Sequence, residues 1–77
     1  MNVKLYMTLT CPWCKKTKEW LRKKKIKFEQ LDINEEDSWR DELLNKSGKL
    51  VVPMLDVEGQ IIVGFDEKVL EKVFQKK

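Results

Sequence analysis

The sequence predicts an α/β domain in which one four-stranded mixed sheet has helices on both faces. Three observations predict it: short alternating apolar segments typical of strands, longer segments with helical spacing between them, and 42% hydrophobic residues in a 77-residue chain. The predicted order is β-α-β-α-β-β-α. A β-α-β start implies a parallel pair with a right-handed crossover. We expect a single domain over residues 1–77, because a chain this short forms at most one core.

The first strand and helix are predicted from a change in hydrophobic period. Residues 3–7 alternate, with Val3, Leu5 and Met7 on one face. From Pro12 onward the spacing is helical. The positions with this spacing are Trp13, Thr17, Trp20 and Leu21, and Trp20 is expected in the core. Seven Lys and Arg residues between positions 15 and 25 give it a basic outer face.

The second strand and helix are predicted over residues 26–48. Ile26, Phe28, Leu31 and Ile33 indicate a strand, although the alternation slips by one between Phe28 and Leu31. Asn34 is the expected N-cap of the helix that follows, since acids fill the next three positions and suit the helix dipole. The predicted buried stripe of this helix is Trp39, Leu43 and Leu44. The helix is predicted to end at Ser47–Gly48, with Gly48 as the C′ residue.

A hairpin and a last helix complete the predicted fold. Residues 53–57 and 60–63 form two strands around Glu58–Gly59. Asp66 is the expected cap of the last helix. Its apolar positions are Val69, Leu70, Val73 and Phe74.

Charge is spread unevenly over the chain. The net charge is +3, but residues 1–27 carry nine Lys and Arg against Glu19 alone, whereas residues 28–77 carry more acids than bases. The acidic half and the lack of a stacking array of aromatic residues argue against a nucleic-acid partner. With neither a signal-peptide pattern nor an apolar span, we expect a cytoplasmic protein with no membrane partner.

Cys11 and Cys14 are the two cysteines of the chain. A bond between them closes almost no loop, so they are poorly placed as structural staples. In a reducing compartment, a Cys-x-x-Cys pair indicates redox or metal chemistry. Zinc needs about four ligands, and the sequence has no histidine and no second cysteine pair. We therefore expect no metal and no tightly bound cofactor.

The chemistry of the pair follows from its place between a strand and a helix. Pro12 suits the first helical position, which puts Cys11 at the N-cap. A sulfur anion there is stabilised by free backbone N–H groups and by the helix dipole. Cys11 is therefore the expected nucleophile, and Cys14, more buried in the first turn, the expected resolving thiol. Trp13 lies between them as an exposed contact surface for substrate.

Three segments resemble the glutaredoxin family, and they span nearly the whole chain. The segment Thr10–Cys14 is similar to the family's Cys-Pro-Tyr-Cys motif, Val52–Pro53 to its Thr-Val-Pro, and Gly64–Glu67 to its Gly-x-Asp-Asp turn. The resemblance implies a thioredoxin fold and thiol–disulfide oxidoreductase activity on protein disulfides or glutathione mixed disulfides.

The resemblance also implies site residues and a co-substrate. It implies a cis peptide bond before Pro53, facing the cysteines, and glutathione as co-substrate. Val52 would pair with glutathione through its backbone, and the turn at Gly64 would hold the γ-glutamyl end through Phe65 and Asp66. The implied partners are disulfide-containing or glutathionylated proteins, with the chain as a monomer.

Two departures from the family pattern leave the electron donor open. Glutathione-dependent members carry Lys or Arg where this chain has Thr8, and many have two glycines where it has Val63–Gly64. Lys46 and Lys49 are candidate replacements for the missing cation. The Gly-Phe pair is also similar to short redoxins that serve ribonucleotide reductase and are reduced by thioredoxin reductase, a flavoprotein. A dimer that binds an iron–sulfur cluster with glutathione is the remaining alternative.

Overall fold

The main chain follows the predicted order of strands and helices. A computed structural model describes residues 2–74. Its elements are β1 (Val3–Met7), α1 (Pro12–Lys23), β2 (Glu29–Asp32), α2 (Asp37–Ser47), β3 (Met54–Val57), β4 (Gln60–Val63) and α3 (Glu67–Phe74). The sheet order is β2-β1-β3-β4, with β1 parallel to β2 and the other pairs antiparallel. This mixed sheet confirms the predicted architecture.

The sheet separates two hydrophobic clusters. The first lies on the face that α1 and α3 cover, and its fully buried members include Leu5, Cys14, Leu21 and Leu70. The second lies on the α2 face and consists of Tyr6, Leu31, Ile33, Leu43 and Met54. Because both faces are covered, neighbouring residues of one strand are buried on opposite sides.

β2 is shorter than the sequence predicted, and its position explains the slip in the alternation. The strand covers Glu29–Asp32 only. Ile26 and Phe28 precede it and pack against the cluster of α1 and α3, whereas Leu31 and Ile33 belong to the cluster of α2. The slip therefore marks the point where the buried side chains change from one face to the other.

α2 begins later than predicted. Asn34 is not its N-cap, because the Asn34 backbone N–H donates to Asp32 Oδ1 at 2.9 Å and Asn34 lies in a turn. Glu36 takes the N-cap position instead. Leu44, predicted to be buried, is exposed, since the stripe that meets the sheet runs through Leu43.

The hairpin and the helix ends largely match the prediction. Glu58 and Gly59 both have positive φ, the conformation of a type I′ turn. Asp66 Oδ1 accepts a hydrogen bond from the Lys68 backbone N–H at 3.1 Å and so caps α3. In α3 Leu70 is fully buried, whereas Val69 is exposed. Among residues 2–74, no helix has the length and hydropathy to cross a membrane.

Candidate active site

Cys11 is the N-cap of α1. Its backbone is extended, with φ −93° and ψ 114°, and Pro12 follows in the first turn. The Cys11 Sγ accepts a hydrogen bond from the Cys14 backbone N–H at 3.1 Å. No acidic residue lies in the first turn of the helix. A sulfur anion at Cys11 therefore meets a backbone donor and the positive end of the helix dipole without an opposing carboxylate.

Cys14 has the opposite environment. Its side chain is fully buried, whereas Cys11 is half-buried, and both are free thiols. Burial, together with the hydrogen bond and the charge of Cys11, raises the pKa of Cys14 to about 12. A backbone hydrogen bond with Thr8 and the charge of Lys18 act in the opposite direction and are outweighed. At neutral pH Cys14 is thus a protonated thiol beside a more accessible sulfur.

The first turn that carries both cysteines is fixed by a buried hydroxyl. Thr17 is fully buried, and its Oγ1 donates to the Trp13 carbonyl oxygen at 2.8 Å. The Lys15 backbone N–H donates to the Cys11 carbonyl oxygen at 3.2 Å. The Thr17 side chain thus adds a hydrogen bond to the helical backbone at Trp13, between the two cysteines.

A cleft of about 230 Å³ brings most of the predicted binding residues together. We call it the proline cleft; it is lined by Trp13, Val52, Pro53, Gly64 and Phe65. The Val52–Pro53 peptide bond is cis, as the resemblance implied. The Gly64 backbone N–H donates to the Pro53 carbonyl oxygen at 2.8 Å and joins the two loops.

Two aromatic rings form one wall of the proline cleft. Trp13 is 54% exposed and stacks on Phe65, with ring centroids 6.0 Å apart and an interplanar angle of 29°. The Lys16 ammonium lies 5.3 Å from the Trp13 ring centroid, within cation–π range. Trp13 is therefore held on two sides while its ring remains accessible.

Asp66 and the two candidate cations, Lys46 and Lys49, lie outside the lining of the proline cleft. Asp66 is exposed, caps α3 and does not line the proline cleft. Lys46 Nζ donates to Tyr6 and to Asp56, at 2.8 and 2.5 Å, on the α2 face of the sheet. Lys46 is thus engaged in an internal ion pair. Lys49 is exposed and does not line the proline cleft.

A second cleft adjoins Cys11, and the sequence did not indicate it. Its volume is about 200 Å³, and we call it the lysine cleft. It is lined by Met7, Thr8, Leu9, Cys11, Lys15 and Lys18. Leu9 is 72% exposed. One feature of the sequence could have pointed to this cleft. Leu9 is an apolar residue in the short loop before Cys11, outside any predicted strand or helix that would bury it.

The chain is similar in sequence to glutaredoxins and glutaredoxin-like proteins. The glutaredoxin family model matches residues 3–62. An uncharacterized glutaredoxin-like 8.6 kDa protein from the rubredoxin operon of Clostridium pasteurianum is 40% identical over 74 residues, which cover 96% of this chain and 99% of that protein. Glutaredoxin 3 of Escherichia coli K12 is 35% identical over 66 residues, which cover 86% and 80% of the two chains.

Solved structures show the same fold. The glutaredoxin of Archaeoglobus fulgidus superposes with a TM-score of 0.88 at 25% identity and covers 96% of this chain and 86% of its own. The NrdH-redoxin of Escherichia coli has a TM-score of 0.84 at 18% identity, with all of both chains covered, which bears on the fold alone. The fold is the thioredoxin fold, and the activity class is thiol–disulfide oxidoreduction. By its family match and its relatives, this chain belongs to the glutaredoxin family.

Proposed function

We propose that the chain reduces protein disulfides or glutathione mixed disulfides through a Cys11–Cys14 dithiol. The observation that carries this proposal is the contrast between the two sulfurs. Cys11 is partly accessible at a helix N-cap, whereas Cys14 is fully buried directly behind it. One sulfur is thus presented to a substrate, and the other is reached only from within.

The exchange takes place in two steps. The Cys11 thiolate attacks one sulfur of the substrate disulfide, the substrate S–S bond breaks, and the departing thiolate takes up a proton. Cys14 then loses its proton and attacks Cys11 Sγ, which releases the second substrate thiol. Two electrons pass to the substrate, and Cys11 and Cys14 end as a disulfide.

Glutathione is the electron donor that the proline cleft favours. An extended tripeptide would lie along Val52 and Pro53, with Phe65 as an apolar wall. Thr8, which stands where glutathione-dependent members carry Lys or Arg, favours the second candidate, a flavoprotein reductase of the thioredoxin reductase type. In that case the function is that of a redoxin that supplies electrons to an enzyme such as ribonucleotide reductase.

The roles of the two cysteines are tested by trapping a mixed disulfide. A Cys14→Ser variant should accumulate a covalent adduct with a disulfide substrate, detected by mass spectrometry, because the second step is blocked. A Cys11→Ser variant should form none. An adduct that persists in Cys11→Ser and is lost in Cys14→Ser would reverse the assignment.

The donor is tested in a coupled turnover assay with two parallel arms. One arm contains glutathione and glutathione reductase, and the other contains thioredoxin reductase, both with NADPH and hydroxyethyl disulfide. Turnover in the first arm supports glutathione at the proline cleft. Turnover in the second arm alone supports the redoxin function, and turnover in neither rejects both donors.

A further inference from the structure

The lysine cleft and the proline cleft have no lining residue in common. Cys11 lines the lysine cleft, whereas the proline cleft is built around Trp13 and Pro53. The lining of the lysine cleft combines two ammonium groups, from Lys15 and Lys18, with the apolar side chain of Leu9. A second binding surface therefore adjoins Cys11, and the exchange chemistry described above does not use it.

The charge of the lysine cleft has one sign. None of its six lining residues is acidic. Asp32 ends β2 next to Met7, but it is buried and its Oδ1 accepts the Asn34 backbone N–H. Glu19 lies in another cleft on α1, together with Lys16 and Lys23. An anion in the lysine cleft thus meets two cations and no facing carboxylate of the described residues.

The positive charge reaches the redox centre. Lys18 is only half exposed, and its charge acts on the buried Cys14 thiol. Because partial burial weakens screening by solvent, the Lys18 charge interacts with nearby charged groups more strongly than a charge on the open surface would.

We propose that the lysine cleft binds a carboxylate of the disulfide substrate, so that the chain selects disulfides flanked by acidic groups. This inference rests on the proposed dithiol exchange and adds a substrate class to it. Lys15 and Lys18 are then specificity-determining residues, and Leu9 contacts the apolar part of the same substrate.

The test compares three small disulfides that differ in charge. Dithiodipropionate is anionic, hydroxyethyl disulfide is neutral and cystamine is cationic, and all have two-carbon arms. The reduced protein is mixed with each, quenched with acid, and its remaining thiols are counted by mass spectrometry. This measurement gives the rate constant of the first exchange without any electron donor. Rates are compared as ratios to the neutral disulfide, which cancels any general change in the reactivity of Cys11.

A double variant and a charge-matched control isolate the cleft. Lys15→Gln/Lys18→Gln should lower the anionic-to-neutral rate ratio by about three- to tenfold and raise the cationic-to-neutral ratio at low salt. Lys23→Gln/Lys27→Gln removes the same charge at and beyond the other end of α1, where Lys23 lies roughly 12 Å along the helix from Lys15, and should change either ratio less than about twofold. Added salt should reduce the preference of the wild type.

The possible outcomes separate the two proposals. If no disulfide reacts at Cys11, the proposed exchange itself is wrong. If all three react but the ratios are the same in wild type and the lysine-cleft variant, the exchange stands and the carboxylate site is rejected. Equal slowing of all three rates would show that the lysines act on the sulfur and not on the substrate, which also rejects the site.

Discussion

Cys11 and Cys14 are three positions apart, yet their surroundings differ in nearly every respect that controls a thiol. One caps a helix and is partly open to solvent, and the other is packed with Leu5 and Leu21 in the core. Burial in a medium of low dielectric constant disfavours the charged thiolate but not the neutral thiol. This difference lets two identical side chains act in a fixed order.

The raised pKa of Cys14 predicts how the stability of the reduced protein depends on pH. The ordinary value is 9.0 and the folded value about 12, so the unfolded chain loses this proton first. The contribution is complete below pH 9 and is lost as the pH rises towards 12. Between about pH 8 and about pH 10.5, the free energy of unfolding should fall more steeply for wild type than for Cys14→Ala. Parallel curves in denaturant titrations would contradict the raised pKa.

The Trp13–Phe65 stack predicts a specific effect on the use of glutathione, the proposed co-substrate. Phe65→Ala removes one wall of the proline cleft and the partner of Trp13. We expect the KM for glutathione to rise about three- to tenfold, as the loss of an aromatic contact implies. The second-order rate with hydroxyethyl disulfide alone should change little.

The matched control for this variant is Val63→Ala. Val63 precedes Gly64, is 47% exposed and does not line the cleft. Its KM for glutathione should equal that of wild type. An equal rise in both variants would indicate a general loosening of the loop and not a contact with glutathione.

At the scale of elements, sequence patterns predicted the type of each helix and strand better than the residues at which they begin. The start of α1 was correct because Pro12 and the change of period coincide there. The start of α2 was not, because Asn34 has two possible roles and its backbone joins a turn with Asp32. β2 was predicted too long because the apolar residues before it, Ile26 and Phe28, are partly buried against the core but do not pair in the sheet.

The end of α2 provides a prediction at this scale. Gly48 has φ 77°, and its backbone N–H donates to the Leu44 carbonyl oxygen at 2.7 Å. A Cβ at this position meets no atom within 4 Å, so a substitution costs conformational energy only. Gly48→Ala should lower the free energy of unfolding by about 1 kcal/mol, measured by urea titration.

Gly48→Asn is the matched control, because asparagine tolerates the left-handed conformation better than alanine does. It should lose less stability than Gly48→Ala. If the two variants lose equal amounts, backbone conformation is not the reason for glycine at this position.

For the molecule as a whole, a polar network fastens α2 to the centre of the sheet. Tyr6 donates its hydroxyl proton to Glu42 Oε1 at 2.8 Å and accepts from Lys46 Nζ, which also pairs with Asp56. Burial alone raises the pKa of Asp56, but the hydrogen bonds from Lys46 and from the Gly59 backbone, and the positive charges nearby, outweigh it, so that pKa is lowered. The network thus links β1, α2 and β3.

This network predicts loss of stability in acid. Since the folded pKa of Asp56 lies below the ordinary 3.8, its contribution is present above pH 3.8 and is lost as the pH falls through the folded value. Asp56→Asn should cost about 1–3 kcal/mol at neutral pH. The difference from wild type should shrink in more acidic solution, as followed by thermal or denaturant unfolding.

Asp41, an exposed acid on α2, serves as the control. Asp41→Asn removes one negative charge but leaves the hydrogen bonds of the network in place. It should lower the free energy of unfolding by less than about 0.5 kcal/mol. If the difference in the free energy of unfolding between wild type and Asp56→Asn does not change with pH, the charge of Asp56 does not account for its contribution to stability.

The candidate site was predictable where each motif is local and unpredictable where distant segments meet. The cysteine pair is defined by consecutive residues, and the family likeness supplied Val52, Pro53, Gly64 and Phe65. The lysine cleft needs the loop after β1 to lie against the side of α1, which depends on the crossover and not on any local pattern. The partner of Lys46 likewise lies ten residues away on a separate strand.

The division of the core by the sheet has a consequence for how this chain tolerates change. The redox pair and α3 share one cluster, while α2 rests on the other, and Val52 packs against both. Substitutions on the α2 side are thus largely insulated from the chemistry, so that side is free to diverge between lineages. Compensatory substitutions that couple the two clusters should concentrate around Val52, which packs against both of them.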